Sequence, residues 1–269
     1  MILAADSQES HGQDTKSLTG KISFKSSGSV ETGELVSKTL AITGAGDSGY
    51  LSVLKQRIYD TILPLENVSE VQGELEGLIE DFYERHIVPF PPAQWGNLGV
   101  QLIVAASMRK EHGMWVTDMN SVRRVESFAA VGSGEAWSAN LLRGFIPDLA
   151  TEHSGCAIAA YSVFVAKDHS KECGKDTMIV SIPANGLVQM ANRNALRRME
   201  NYFEEYEWAE RSRRLITLGS ISIGSTSANT DAVFRTLQVE LAKLDLFAVP
   251  HQAKGQDSSN PSTSESSQT

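Results

Sequence analysis

Residues 36–49, VSKTLAITGAGDSG, carry the chain from an apolar stretch into a glycine-rich run. The apolar and β-branched residues of 36–43 are typical of a buried strand, and the glycines after them end it. A helical spacing begins directly beyond the glycines, because Leu51, Leu54, Ile58 and Ile62 recur at steps of three and four. This stretch therefore predicts a strand followed at once by an amphipathic helix.

The rest of the chain predicts strands and helices in blocks. On the N-terminal side we expect a strand over 2–5, a loop over 7–18 and a half-buried strand over 21–25. On the C-terminal side the patterns predict helices over 71–82, 157–166, 192–214 and 231–246 and around Trp137, and strands over 100–106, 114–118, 125–131, 177–182 and 215–223. Blocks of this kind favour a layered α+β sandwich over strict βαβ alternation.

Composition excludes several classes of protein. Lys and Arg total 24 against 33 Asp and Glu, a net charge of −9, which argues against a general nucleic-acid or anionic-membrane binder. No apolar run approaches the roughly 20 residues that cross a bilayer, so no membrane association is expected. Two cysteines can form at most one disulfide, which is too few to hold together a fold of 269 residues. This low cysteine count suits a reducing, cytoplasmic location.

The chain divides into one domain and a tail. We expect a single domain over 1–250, because no linker or internal repeat interrupts it. Residues 251–269 are rich in Ser, Thr and Gln and contain no large apolar residue. Such a composition predicts a disordered tail.

Four short motifs carry a resemblance to a known family. They are Leu3-Ala4-Ala5-Asp6-Ser7, Gly20-Lys21-Ile22, Thr43-Gly44-Ala45-Gly46-Asp47 and Ala130-Val131-Gly132-Ser133-Gly134. In this order they resemble the 20S proteasome subunits and the HslV-type peptidases, which are N-terminal nucleophile hydrolases, most clearly over 1–186. The resemblance implies a four-layer αββα sandwich, threonine-type hydrolysis of peptide or unfolded-protein substrates, ring-like homo- or hetero-oligomers, and no metal or organic cofactor.

The resemblance also implies how a nucleophile would be activated. In that family a threonine at the mature N-terminus attacks the scissile carbonyl, and its own α-amine serves as the base. Asp6 and Lys21 resemble the Asp–Lys pair in which the Lys charge lowers the pKa of the nucleophile and the Asp orients the Lys.

Three further positions take roles from the same resemblance. Gly44, or Thr43 beside it, falls near the backbone N–H that stabilises the oxyanion. Ser133 lies in the Gly-Ser-Gly turn, and Asp168 resembles the acid that supports the nucleophile's amine.

The sequence also departs from the family pattern. The nucleophile would lie roughly ten residues before Met1. Glu135 stands where the family has a small hydroxyl residue, and the segment between Asp168 and Gly174 is longer than in the family. Two explanations remain open: a catalytic subunit whose Thr, Ser or Cys precedes Met1, or a noncatalytic structural subunit of a similar assembly.

Two other kinds of site have weaker support. The spacing Gly44-x-Gly46-x-x-Gly49 after a strand meets the local test for an NAD(P)-binding turn of an oxidoreductase. Against it, Asp47 would put a carboxylate at the phosphate site, and no strand ending in an acid follows about 20 residues on. The pairs His153/Cys156 and His169/Cys173 have zinc-compatible spacings, although Cys156 adjoins an apolar run and is more typical of a core residue.

Overall fold

The computed structural model describes residues 1–11, 15–18, 20–31, 34–145, 151–184 and 186–217. The strands are β1 (Ile2–Asp6), β2 (Gln8–His11), β3 (Thr15–Leu18), β4 (Ser23–Glu31), β5 (Glu34–Gly46), β6 (Val100–Met108), β7 (Glu111–Asp118), β8 (Ser121–Arg124), β9 (Thr177–Ser181) and β10 (Gln189–Met190). The helices are α1 (Ser48–Ile62), α2 (Val71–His86), α3 (Trp95–Leu98), α4 (Glu135–Phe145), α5 (Glu152–His169) and α6 (Arg193–Thr217).

The strands form antiparallel sheets. A five-stranded sheet has the order β4-β5-β6-β7-β8, a three-stranded sheet has the order β1-β9-β10, and β2 pairs with β3. Helices lie between these blocks of strands along the chain. The α+β class that the sequence predicts is therefore confirmed, whereas the four-layer arrangement stays a prediction.

Strand periodicity explains how the two larger sheets pack. In β5, Leu40 and Ile42 are buried in a cluster with residues of α1 and α2, whereas Ala41 between them belongs to a cluster with Leu3 of β1. In β1, Leu3 contacts this second cluster, and Ile2 packs against the cluster formed with α5 and α6. Successive side chains of a strand point to opposite faces, so both faces of these strands are buried.

Several local predictions need correction. Part of the loop expected over 7–18 is the β2–β3 hairpin. The strand expected over 125–131 does not form. Instead β8 begins at Ser121, since the left-handed backbone of Met119, with φ of 50°, allows a two-residue turn directly after β7.

The C-terminal predictions are only partly covered. Residues 215–217 belong to α6, so the strand expected from residue 215 is wrong at its start. Its remainder, the helix expected over 231–246 and the tail over 251–269 lie outside the described residues. The assignment of 1–250 to one domain stays a prediction.

Candidate functional site

An ion pair joins the end of β1 to a residue two positions before β4. Lys21 Nζ donates a hydrogen bond to Asp6 Oδ1 over 2.7 Å. The second oxygen, Asp6 Oδ2, accepts from the backbone N–H of Gln8 at 3.2 Å and of Gly174 at 3.0 Å. Asp6 is buried, with 8% of its surface exposed, so these three donors hold the carboxylate in one orientation.

Strand pairing brings these partners together. Asp6 lies opposite Thr177 in the β1–β9 ladder, which places it beside the loop that contains Gly174. Ile22 is buried in the cluster that contains Leu3, whereas its neighbour Lys21 reaches Asp6 and lines both clefts. The Asp6–Lys21 contact thus depends on the fold, because its two partners are 15 residues apart in the sequence.

The Gly-Ser-Gly turn packs against the end of β5. Gly132 has a left-handed φ of 91°, and a Cβ there would lie 2.8 Å from the Cβ of Ala45. A Cβ on Gly134 would lie 2.7 Å from the Cβ of Ala166. Both glycines are therefore required for close approach, and they set Ser133 between β5 and α5 with its Oγ 3.5 Å from Cys173 Sγ.

Two clefts meet at these residues. The first has a volume of 750 Å³ and follows β1, which is an edge strand of its sheet, opposite the segment 124–134. The second has a volume of 1390 Å³ and lies between the end of β5 and α1. Lys21, Gly44 and Ser133 line both clefts, and Asp6 lines the first. The structure thus brings together four of the five residues that the sequence singled out.

Asp168 is the exception, and its expected position is corrected by the structure. It lies in α5, half exposed, and its Oδ2 accepts a hydrogen bond from Arg211 of α6 at 3.1 Å. Ala166, two residues earlier, lines the first cleft. Two residues of an α-helix span about 200°, so Asp168 points away from the cleft that Ala166 faces.

Sequence reasoning did not assign two of the cleft-lining residues to this site, since it considered Cys173 only in a zinc-compatible pair and did not consider Lys55. Cys173 lies beside Ser133 in the first cleft, and its position directly before Gly174 was the available signal. Lys55 lies in the second cleft, where its Nζ donates to the backbone carbonyl of Lys21 at 2.9 Å. Lys55 directly follows the buried Leu54, and this flanking position on the apolar stripe could have indicated partial burial.

Glu135, which departs from the family pattern, has a structural explanation. It begins α4 and lies in its first turn. A carboxylate at this position interacts favourably with the positive end of the helix dipole. The residue therefore stabilises the start of α4, and its side chain is exposed.

The geometry around Gly44 argues against a dinucleotide site. β5 pairs antiparallel with both of its neighbours, whereas the dinucleotide fold uses parallel strands in a βαβ unit. Asp47 caps α1, since its Oδ1 accepts from the N–H of Tyr50 at 3.0 Å. A carboxylate thus occupies the helix N-terminus at which a pyrophosphate would bind.

Two of the residues with zinc-compatible spacings have other structural roles. Cys156 is fully buried in the α5–α6 cluster, and burial raises the pKa of its thiol to about 12. The His169 ring stacks on Trp137 with 4.1 Å between ring centroids. Within the part of the chain that the structure describes, no group of three or more His, Cys, Asp or Glu residues is arranged to hold a metal ion.

None of the described helices combines the length and the apolar character that crossing a bilayer demands.

Comparison with known proteins adds information about the fold. No family model and no curated protein matches the sequence. Solved structures do match: Anbu (ancestral beta-subunit) from Yersinia bercovieri has a TM-score of 0.58 at 12% identity, over 83% of this chain and 93% of that one. An Anbu (Gly-1) mutant from Hyphomicrobium sp. strain MC1 has a TM-score of 0.60 at 12% identity, over 82% and 94%. The chain has an Anbu-like fold.

A third structure, the helical assembly of the Anbu complex from Pseudomonas aeruginosa, has a TM-score of 0.57 at 12% identity, over 84% of this chain and 95% of that one. These findings correct the family that the sequence motifs suggested. The assignment to the 20S proteasome subunits and HslV-type peptidases is wrong, because no family model supports it and the similar structures are Anbu proteins.

Proposed function

We propose that this protein is a subunit of a proteasome-like assembly of the Anbu kind and that it hydrolyses peptide bonds where its two clefts meet. The observation that carries the proposal is the Asp6–Lys21 ion pair, which lies at this junction beside Gly44 and Ser133. The hydrolysis is of the threonine type if a Thr nucleophile precedes Met1 in the native protein.

Lys21 supplies the positive charge that such chemistry needs. Its ammonium is held by Asp6, which is itself oriented by two backbone N–H groups. A hydroxyl or an amine close to this ammonium loses its proton more readily, because the charge stabilises the deprotonated form. Lys21 lines both clefts, so a nucleophile in the first cleft and a peptide in the second would meet beside it.

Two neighbouring groups would complete the site. The backbone N–H of Gly44 would donate to the oxyanion of the tetrahedral intermediate. Ser133 would support the amine of the nucleophile, with Cys173 beside it. Asp168 has no role in this scheme, because it pairs with Arg211 away from the clefts.

The proposal extends to architecture and location. Three buried clusters, one between helices and the five-stranded sheet, one between the two larger sheets and one under α5 and α6, support a four-layer αββα sandwich. The helical Anbu complex from Pseudomonas aeruginosa supports an oligomer. Both described cysteines are unpaired, which fits a reducing, cytoplasmic compartment.

Labelling of the native protein tests the chemistry. Protein purified from its native source is incubated with a hydroxyl-reactive peptide inhibitor, and the N-terminal peptide is then sequenced by mass spectrometry. We expect one adduct, on a Thr that precedes Met1. Lys21→Ala should reduce the labelling rate by about 100-fold, because the positioned charge no longer promotes proton transfer. Lys25→Ala, at an exposed lysine on β4, is the control and should label normally.

The noncatalytic alternative makes the opposite prediction. A structural subunit would have the same fold and would assemble, but its native form would carry no adduct. An unlabelled native protein that still assembles would therefore overturn the hydrolase proposal and leave the structural role.

A further inference from the structure

The second cleft contains a lysine that the proposed reaction does not use. Lys55 lies in the middle of α1, and its side chain reaches into the 1390 Å³ cleft beside Lys21 and Gly44. Its Nζ donates to the backbone carbonyl of Lys21 at 2.9 Å. An ammonium has three donors, so two of them remain to face the cleft.

Among the described residues, no carboxylate forms an ion pair with Lys55. Burial lowers the pKa of the Lys55 ammonium, and no carboxylate in the described part of the chain opposes this effect. The other basic residue of the cleft, Lys21, is already paired with Asp6. Keeping a partly buried ammonium without a counter-ion costs free energy, which a ligand that carries negative charge would recover.

Three carboxylates also line the cleft, and they differ in their hydrogen-bond partners and exposure. Asp47 Oδ1 accepts from the N–H of Tyr50, at the start of α1. Asp118 Oδ1 accepts from Gln101 at 3.4 Å, and the side chain of Glu172 is exposed to solvent. These three carboxylates outnumber the two lysines of the lining, but none of them bonds to Lys55, whose ammonium keeps no carboxylate partner among the described residues.

We infer that Lys55 binds a carboxylate of the peptide that occupies the second cleft, and so selects acidic peptides. The carboxylate belongs to a Glu or Asp side chain or to the free C-terminus of a peptide. The inference rests on the proposed function, because it assumes that the cleft takes peptides. It adds the substrate class, which neither Asp6 nor Lys21 determines.

Binding measurements that need no hydrolysis test the inference. Three fluorescently labelled tetrapeptides share the sequence Ala-Ala-Ala before their last residue, which is Glu amide, Gln amide or Gln with a free carboxylate. Their affinities are measured by fluorescence anisotropy with wild-type protein, Lys55→Met, Lys55→Gln and Lys25→Met. Lys25 is a matched control, because it is an exposed lysine that bonds to Gln56 and does not line the cleft.

We expect wild-type protein to bind at least one of the two carboxylate peptides about tenfold more tightly than Gln amide. The preferred peptide identifies whether the source is a side chain or a terminus. The ratio should fall to about one in both Lys55 variants and persist in Lys25→Met. Thermal unfolding checks that the variants fold.

Other outcomes overturn the inference in distinguishable ways. Equal affinity of wild-type protein for all three peptides would remove the role of Lys55 and leave the proposed function standing. A preference that survives in both Lys55 variants would assign it to another residue. Failure of wild-type protein to bind any of the peptides would overturn the inference together with the proposed peptide site. Even if the variants do not fold, equal affinity of wild-type protein for all three peptides overturns the inference.

Discussion

Asp6 accepts hydrogen bonds from Lys21, Gln8 and Gly174 within a site that leaves 8% of the residue exposed. Each donor would lose its partner if the carboxylate were removed. Asp168, by contrast, is half exposed and bonds to an exposed arginine. The sequence motifs predict a role in the site for both aspartates. Their surroundings, however, predict very different effects of substitution on stability.

An Asp→Asn substitution at each position measures this difference. Asp6→Asn removes the ion pair with Lys21 and turns an amide N–H₂ toward donors, so it should lower the free energy of unfolding by about 2–3 kcal/mol. Asp168→Asn should change it by less than about 0.5 kcal/mol, because an exposed ion pair contributes little. Urea unfolding of both variants gives the comparison. Equal effects would mean that the burial of Asp6 does not determine its importance.

At the scale of elements, α1 is fixed to the five-stranded sheet from both of its ends. Asp47 caps its first turn directly after β5, and Tyr59 near its end donates from its hydroxyl to Ser23 Oγ at the start of β4, over 3.0 Å. Tyr59 is buried, and burial raises the pKa of its hydroxyl to about 12. The packing of α1 should therefore depend on pH in the alkaline range.

The sign of this dependence follows from the two protonation states. The phenol of Tyr59 ionises near pH 10 in the unfolded chain and near pH 12 in the folded one, so the unfolded chain binds fewer protons between these values. Stability should fall as pH rises through this window, by at most about 1.4 kcal/mol per pH unit. Tyr59→Phe should show a shallower slope than wild-type protein in urea unfolding from about pH 9 to about pH 11.

Ser23→Ala is the control for the Tyr59 experiment. It removes the hydrogen-bond partner but keeps the buried phenol, whose pKa is raised mainly by burial. The alkaline slope should therefore persist in Ser23→Ala. An identical slope in wild-type protein and Tyr59→Phe would show that another group dominates the alkaline loss of stability.

At the scale of the whole molecule, large apolar side chains remain on the surface in and near α6. Trp208 of α6 is 64% exposed, and Met190 of β10 and Leu187 are about half exposed. A tryptophan exposed to this degree is unusual on a monomeric surface and is typical of contact surfaces between proteins. The proposed assembly would bury such residues between subunits.

Light scattering coupled to size-exclusion chromatography tests the assembly. We expect the protein at micromolar concentration to elute with a mass several times 29.2 kDa, because exposed apolar surface favours association. Raised salt should weaken this association only slightly if apolar contacts dominate it. A mass of one subunit at every concentration would contradict the proposed assembly.

The sequence by itself determined the local features of this protein. The helices α1 and α2 and the strand pattern of β5 follow from apolar periodicity, which depends on residues close together in the chain. Asp6, Lys21, Gly44 and Ser133 could be singled out because each lies in a short motif that resembles one of a known family. The same local reasoning failed over 125–131, since the two-residue turn at Met119 moves β8 toward the N-terminus.

Only the tertiary structure decided which of these residues meet. The contact between Asp6 and Gly174 spans 168 residues, and it exists because β1 pairs with β9. The same packing turns Asp168 toward α6 and places Lys55 beside Lys21. The buried Leu54 next to Lys55 indicates partial burial, but it does not indicate this contact. Burial and distance arise from the docking of whole sheets and helices, and local sequence patterns do not encode that docking.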